Sequence, residues 1–115
     1  MTNCLAPARA RAFRQQGGFC FYCSQPMWLS DDDAFSKRFC IRRRQARTYQ
    51  CTAEHLVEKQ RGGKGGTNIV AACRYCNSLR HRGRQDRAPS PQVWRTRVQT
   101  LVAKGKWRTL GEGAS

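Results

Sequence analysis

The stretch Asn68-Ile69-Val70-Ala71-Ala72-Cys73-Arg74-Tyr75-Cys76-Asn77 decides the fold. Its first half is apolar and β-branched at Ile69 and Val70, which suits a short buried strand over 68–72. Its second half is a Cys-x-x-Cys turn, a gap that lets both thiolates face one ion, and a helix is expected over 77–84. A matching turn lies upstream in Phe19-Cys20-Phe21-Tyr22-Cys23. Two such turns, Cys20/Cys23 and Cys73/Cys76, complete a tetrahedron around zinc with Zn–S of about 2.3 Å. Between Cys23 and Cys73 lie 49 residues, longer than the gap of a compact zinc ribbon, so a substantial structure is inserted there. Four thiolates close the coordination sphere, which makes the expected zinc structural and not catalytic. Four small buried hydrophobes, or a redox pair, would account for one Cys-x-x-Cys but poorly for two matched ones. Cys4, Cys40 and Cys51 have no partner at ligand spacing and read as buried or free thiols.

Outward from this frame, residues 7–16 are rich in Ala, Arg and Gln and stop at Gly17-Gly18, a short helix with a glycine stop. Ser30-Asp31-Asp32-Asp33 reads as a capping-box-like helix start with acids at its positive end, in preference to a metal-binding aspartate cluster. Residues 39–50, with Arg42, Arg43, Arg44 and Arg47, are expected to be extended or looped and solvated. A strand is expected over 51–57, and Gly62-Gly63-Lys64-Gly65-Gly66 must be a loop. A last helix, about 91–104, begins after Ser90-Pro91 and presents Trp94, Val98, Leu101 and Val102 on one face. The aromatics Phe19, Phe21, Tyr22 and Trp28 read as a small core around the first knuckle, ahead of a base-stacking platform. The whole is a small α+β unit.

The chain has 115 residues, enough for one ordinary domain (1–115), and a formal net charge of +15 with a pI near 10.6. Seventeen of its 22 cationic residues are arginine, whose planar fork pairs with phosphate bidentately. A polyanion is therefore the expected partner, and a neutral small molecule or an acidic protein is not. The longest fully apolar run is 69–73, against the roughly 20 residues that a spanning helix needs. Residues 1–17 carry no apolar stretch of the secretory kind. A reducing, cytoplasmic setting agrees with the odd cysteine count.

The ordered set Ala53-Glu54-His55-Leu56-Val57, Gly62-Gly63 and Asn68 through Asn77, with a cysteine knuckle at each end, resembles the HNH endonucleases of the zinc-containing, ββα-metal type. The resemblance covers about 19–84, with an N-terminal and a C-terminal helix flanking it. It implies that His55 is the general base that deprotonates water, and that Glu54 and Asn77 hold a divalent cation, Mg²⁺ or Mn²⁺. Asn68 would brace the loop by hydrogen bonds. His81, one turn beyond Asn77, is a secondary candidate for that ion, with a solvated or phosphate-contacting histidine as the even alternative.

The resemblance further implies a metal-dependent DNA endonuclease, acting on duplex or branched DNA in a bacterial or phage-infected cell. The expected products are a 5′-phosphate and a 3′-hydroxyl, with no small-molecule cofactor. Arg43, Arg74, Arg80, Arg82 and Arg84 are the expected phosphate contacts. The chemistry is self-consistent. A neutral imidazole with pKa near 6.5 takes a proton from water at physiological pH, and a hard cation prefers oxygen ligands. A non-catalytic, zinc-stabilised nucleic-acid-binding protein is the alternative, and it has no use for Glu54, His55 and Asn77 together.

Overall fold

Two five-residue strands, β1 (Cys51–His55) and β2 (Ile69–Cys73), pair antiparallel with Glu54 opposite Val70 and His55 opposite Ile69. They belong to a computed structural model that describes residues 5–57, 68–84 and 87–110. The expected glycine loop at 62–66 and Cys4 lie outside the described residues. β1 ends two residues earlier than expected, at His55, where Asn68 takes over. The Val57 amide donates to Asn68 Oδ1 at 2.9 Å, the Asn68 side-chain amide returns a hydrogen bond to the Val57 carbonyl, and the Leu56 amide donates to the Asn68 carbonyl.

Helix α4 (Arg74–His81) follows β2 without a linker, because Cys73 closes the strand and caps the helix, its sulfur accepting the Cys76 amide at 3.5 Å. The helix thus starts three residues before the expected position 77, and Cys76 and Asn77 lie within its first turns. Strand, strand and helix form the ββα core of a small α+β fold.

Helix α1 (Ala6–Gln15) and helix α5 (Pro91–Ala103) complete one hydrophobic core with this unit. Ala8 and Ala12 of α1 and Trp94 and Val98 of α5 pack with Tyr22, Met27, Cys51, Ile69, Ala71 and the four knuckle cysteines. Small alanines on α1 let the helix lie close to the sheet, and Gln16 locks it there, exchanging two 2.9 Å hydrogen bonds with the Ala71 backbone. Gly17 (φ +67) follows the cap of α1 in the left-handed region, and at Gly18 (φ +83) a side chain would press on the Phe13 ring. Ser90 caps α5 at 3.2 Å through the Val93 amide, as the Ser-Pro start implies.

The inserted segment holds a second core, and here the expectation for 39–50 is corrected. Helix α2 (Asp32–Phe39) and the short helix α3 (Arg43–Arg47) bury Phe35, Ala46 and Tyr49 together, with Trp28 donating to the Ala46 carbonyl at 2.7 Å. Ala46 within α3 and Tyr49 just beyond its end face inward, while the arginines between and around them stay solvated. The cap of α2 is Asp31, which accepts from the Ala34 amide at 2.9 Å; Ser30 does not serve.

Candidate functional site

The four knuckle sulfurs are buried and lie within 4.8 Å of one another, with Cys23 Sγ 4.0 Å from Cys73 Sγ. A tetrahedral ion with Zn–S of about 2.3 Å separates its sulfurs by about 3.8 Å, so the set fits zinc. Backbone amides of Tyr22 and Cys73 both donate to Cys20 Sγ at 3.3 Å. Hydrogen bonding from its neighbours, Cys20 first, draws the Cys73 thiol down, while the same contacts push Cys23 and Cys76 up. Four thiols packed this way can ionise together only around a cation. Cys51 stands apart from the set: burial pushes its thiol up to about 12, and it points at the Thr52 carbonyl. Cys40 is exposed.

A contact absent from the sequence reading closes the knuckle. Arg108, beyond α5, lies with its guanidinium 3.8 Å from the ring centroids of both Tyr49 and Tyr75. It donates to Thr48 Oγ1 at 2.5 Å and the Thr48 carbonyl at 3.0 Å, and its Nη2 is 3.6 Å from Cys73 Sγ. A cation held beside a ligand sulfur offsets the negative charge of a four-thiolate centre.

The second site forms where one face of β1 meets α4. Period-two alternation puts Thr52 and Glu54 on that face. Thr52 Oγ1 donates to the Ala72 carbonyl at 2.7 Å and accepts from Asn77 Nδ2 at 3.0 Å. The Asn77 amide is thereby oriented, and its Oδ1 is buried with no hydrogen-bond partner among the described residues. Glu54 is 5 % exposed, and its two oxygens have different surroundings. Oε2 accepts from the Tyr22 hydroxyl at 2.5 Å and from Arg80 Nη1 at 3.0 Å, whereas Oε1 lies 3.5 Å from His81 Nε2. Burial and the adjacent carboxylate push the Tyr22 phenol up, so it remains a donor to Glu54.

His55 belongs to the opposite parity of β1, at the strand's last residue; the residue is half-buried, and its Nε2 is buried and lacks a partner among the described residues. Glu54 and His81 thus meet at one strand–helix contact, with Asn77 one helical turn back along α4, while His55 belongs to the other face of β1. A carboxylate oxygen, an amide oxygen and an imidazole nitrogen make a donor set that fits Mg²⁺ or Mn²⁺.

The arginines divide. Arg74 and Arg82, at the two ends of α4, are exposed, as are Arg42, Arg44 and Arg47. Arg43 is exposed but paired with Asp32 at 3.1 Å. Arg84 is turned back onto the end of α4, donating to the Arg80 carbonyl at 3.1 Å and lying over Trp94. Arg80 is corrected: it is 5 % exposed, with Nε on the Pro89 carbonyl at 2.8 Å and Nη1 on Glu54, so it is not displayed to a duplex. Nothing in the sequence marks Tyr22 and Arg80 as partners of Glu54; the knuckle's own spacing, with Tyr22 between two ligands, was the only available hint.

Residues 37–83 match the family model for HNH endonuclease. The match takes in β1, β2, α4 and the second knuckle, and the first knuckle precedes it. No curated protein and no solved structure matches the chain. No helix among the described residues is long and apolar enough to cross a membrane.

Proposed function

We propose that this HNH segment is a working metal-dependent endonuclease that hydrolyses phosphodiester bonds in DNA. His55 is the general base, and Glu54, Asn77 and His81 hold the divalent cation. The observation that carries the reading is the meeting of Glu54 Oε1 and His81 Nε2 at 3.5 Å, one helical turn from Asn77 Oδ1, which has no hydrogen-bond partner among the described residues. Asn77 Oδ1 is buried without a hydrogen-bond donor among the described residues, and a purely structural strand–helix contact has no reason to leave it so beside a carboxylate and an imidazole.

In this reading Nε2 of His55, which is buried and has no hydrogen-bond partner among the described residues, accepts the proton of the attacking water when substrate is bound. The oxygen bonds to phosphorus, the 3′ oxygen departs and is protonated, and the products are a 5′-phosphate and a 3′-hydroxyl. A bound Mg²⁺ or Mn²⁺ supplies charge neutralisation at the phosphate and the leaving oxygen. The chain's own part is positioning. Tyr22 and Arg80 orient Glu54, Thr52 orients Asn77, and Asn68 clasps the loop end next to His55. Zinc at the four cysteines is structural. The exposed Arg42, Arg44, Arg47, Arg74 and Arg82 bind phosphates, in a cytoplasmic protein.

One observation favours the binding-only alternative, namely that Glu54 already has a counterion in Arg80. Incubation of the purified protein with supercoiled plasmid and Mg²⁺ or Mn²⁺ separates the two. Metal-dependent nicking that falls by about 10²–10⁴-fold in His55→Ala, with zinc content unchanged, supports the enzyme. Tight, salt-sensitive binding without cleavage under any divalent ion supports the alternative.

A further inference from the structure

Arg80 is the one feature of the site that phosphodiester hydrolysis does not require. Its Nη1 touches two of the proposed ion ligands at once, Glu54 Oε2 at 3.0 Å and His81 Nε2 at 2.7 Å. A guanidinium has donors and no acceptor, so in this contact Nε2 of His81 accepts. The 3.5 Å approach of His81 Nε2 to Glu54 Oε1 then sets two lone-pair atoms side by side, with the guanidinium touching both side chains.

The rest of Arg80 is fixed from the far side. Nε donates to the Pro89 carbonyl, just before α5, and the Arg80 carbonyl accepts from Arg84. Glu54 is buried, while His81 has about half of its side chain exposed, so the ligand pair opens to solvent on the histidine side only.

We propose that Arg80 is a built-in cation of this site: it bridges Glu54 and His81, keeps both ligand atoms assembled, and yields His81 when a divalent ion binds. This rests on reading Glu54 and His81 as ion ligands. Arg80 is a positioning residue, acting through those two side chains. Tyr22, neutral and anchored between Cys20 and Cys23, keeps Oε2 when Arg80 shifts, so that Oε1 is the oxygen left for the ion. A buried carboxylate is costly without a positive partner, and a guanidinium already in place supplies one until an ion arrives. The same positive charge opposes the ion's entry, so the device trades affinity for a preassembled site.

The test is thermal unfolding of the zinc-loaded full chain, titrated with Mn²⁺ in chelator-free buffer, for the natural chain, Arg80→Met and Arg80→Lys. Arg80→Met is expected to melt several degrees lower without Mn²⁺ and to regain most of that loss on adding it. Its half-saturating Mn²⁺ concentration should fall at least about tenfold, since like charges at contact distance repel strongly. Arg80→Lys should restore the melting temperature without Mn²⁺.

If Arg80→Met melts low and Mn²⁺ does not restore it, or binds no more tightly, Arg80 is only a structural ion pair and the proposal is overturned. Should Arg80→Met fail to fold, the double variant Arg80→Met/Glu54→Gln removes both charges. It is expected to fold and to show no Mn²⁺ stabilisation; Mn²⁺ stabilisation in that variant equal to the natural chain's contradicts the proposal. Plasmid cleavage is scored separately. A natural chain that binds Mn²⁺ without cutting DNA defeats the nuclease reading, whereas a cutting chain whose Arg80→Met variant binds Mn²⁺ no better defeats this one alone.

Discussion

Glu54 is a carboxylate with two distinct oxygens, and its neighbours explain how a buried acid is tolerated beside an open site. Oε2 takes the Tyr22 hydroxyl and the Arg80 guanidinium, leaving Oε1 toward His81. Removing one donor should therefore cost stability. Tyr22→Phe leaves a buried oxygen short of a hydrogen bond and is expected to lower stability by about 1–3 kcal/mol in denaturant melts, with zinc content unchanged. An unaltered midpoint would mean that the short Tyr22–Glu54 contact contributes nothing. At this scale the sequence offered candidate polar groups and was silent about their partners. Glu54-His55 and Asn77 stand at recognisable offsets from the knuckles, but Tyr22 and Arg80 lie 32 and 26 residues from Glu54. Pairing across such separations is a property of packing, and no local pattern encodes it. Arg80 reads in sequence as one more surface cation among 17 arginines.

Elements joined by the knuckle cysteines behave as one piece. Cys73 ends β2, caps α4 and carries a ligand sulfur, while Arg108 from beyond α5 closes the same corner between Tyr49 and Tyr75. Arg108→Met should keep the apolar stem and lose the charge beside Cys73. It is expected to bind zinc about 10–100-fold more weakly in competition with a chromogenic chelator, as loss of a ligand's supporting partner does elsewhere. Equal zinc affinity would show the guanidinium to be a tyrosine-stacking group only. The elements best foretold were those with strong local signals: α1 with its glycine stop, the two strands, and α5 with its Ser-Pro start. Helix α3 escaped because its arginines dominate the composition, while its one buried residue, Ala46, makes no visible apolar stripe. The start of α4 was misplaced because a thiol, normally read as a ligand, also acts as its cap.

Over the whole molecule, charge is the dominant unbalanced quantity. Of seven acidic residues, Glu54 is paired internally with Arg80, and Asp32 and Asp33 are engaged by Arg43 and Lys37. The net +15 is therefore little offset where Arg42, Arg44, Arg47, Arg74 and Arg82 are exposed. If those five engage phosphates, the logarithm of the duplex-binding constant should fall against the logarithm of salt concentration with a slope of about −4 to −5. Fluorescence anisotropy across a salt series measures it, and a slope near zero would mean that these cations are solvated and unused. Net charge was plain from composition, but which arginines face solvent was not, because Arg80, Arg84 and Arg108 are each drawn into internal contacts.

The most direct measurement is a crystal of the zinc-loaded chain grown with Mn²⁺, with anomalous differences collected on both sides of the manganese edge. A manganese peak bonded to Glu54, Asn77 and His81, within reach of His55 and separate from zinc at Cys20, Cys23, Cys73 and Cys76, is the expected result. No manganese at that strand–helix contact, with Arg80 still bridging Glu54 and His81 at saturating ion, would contradict the account.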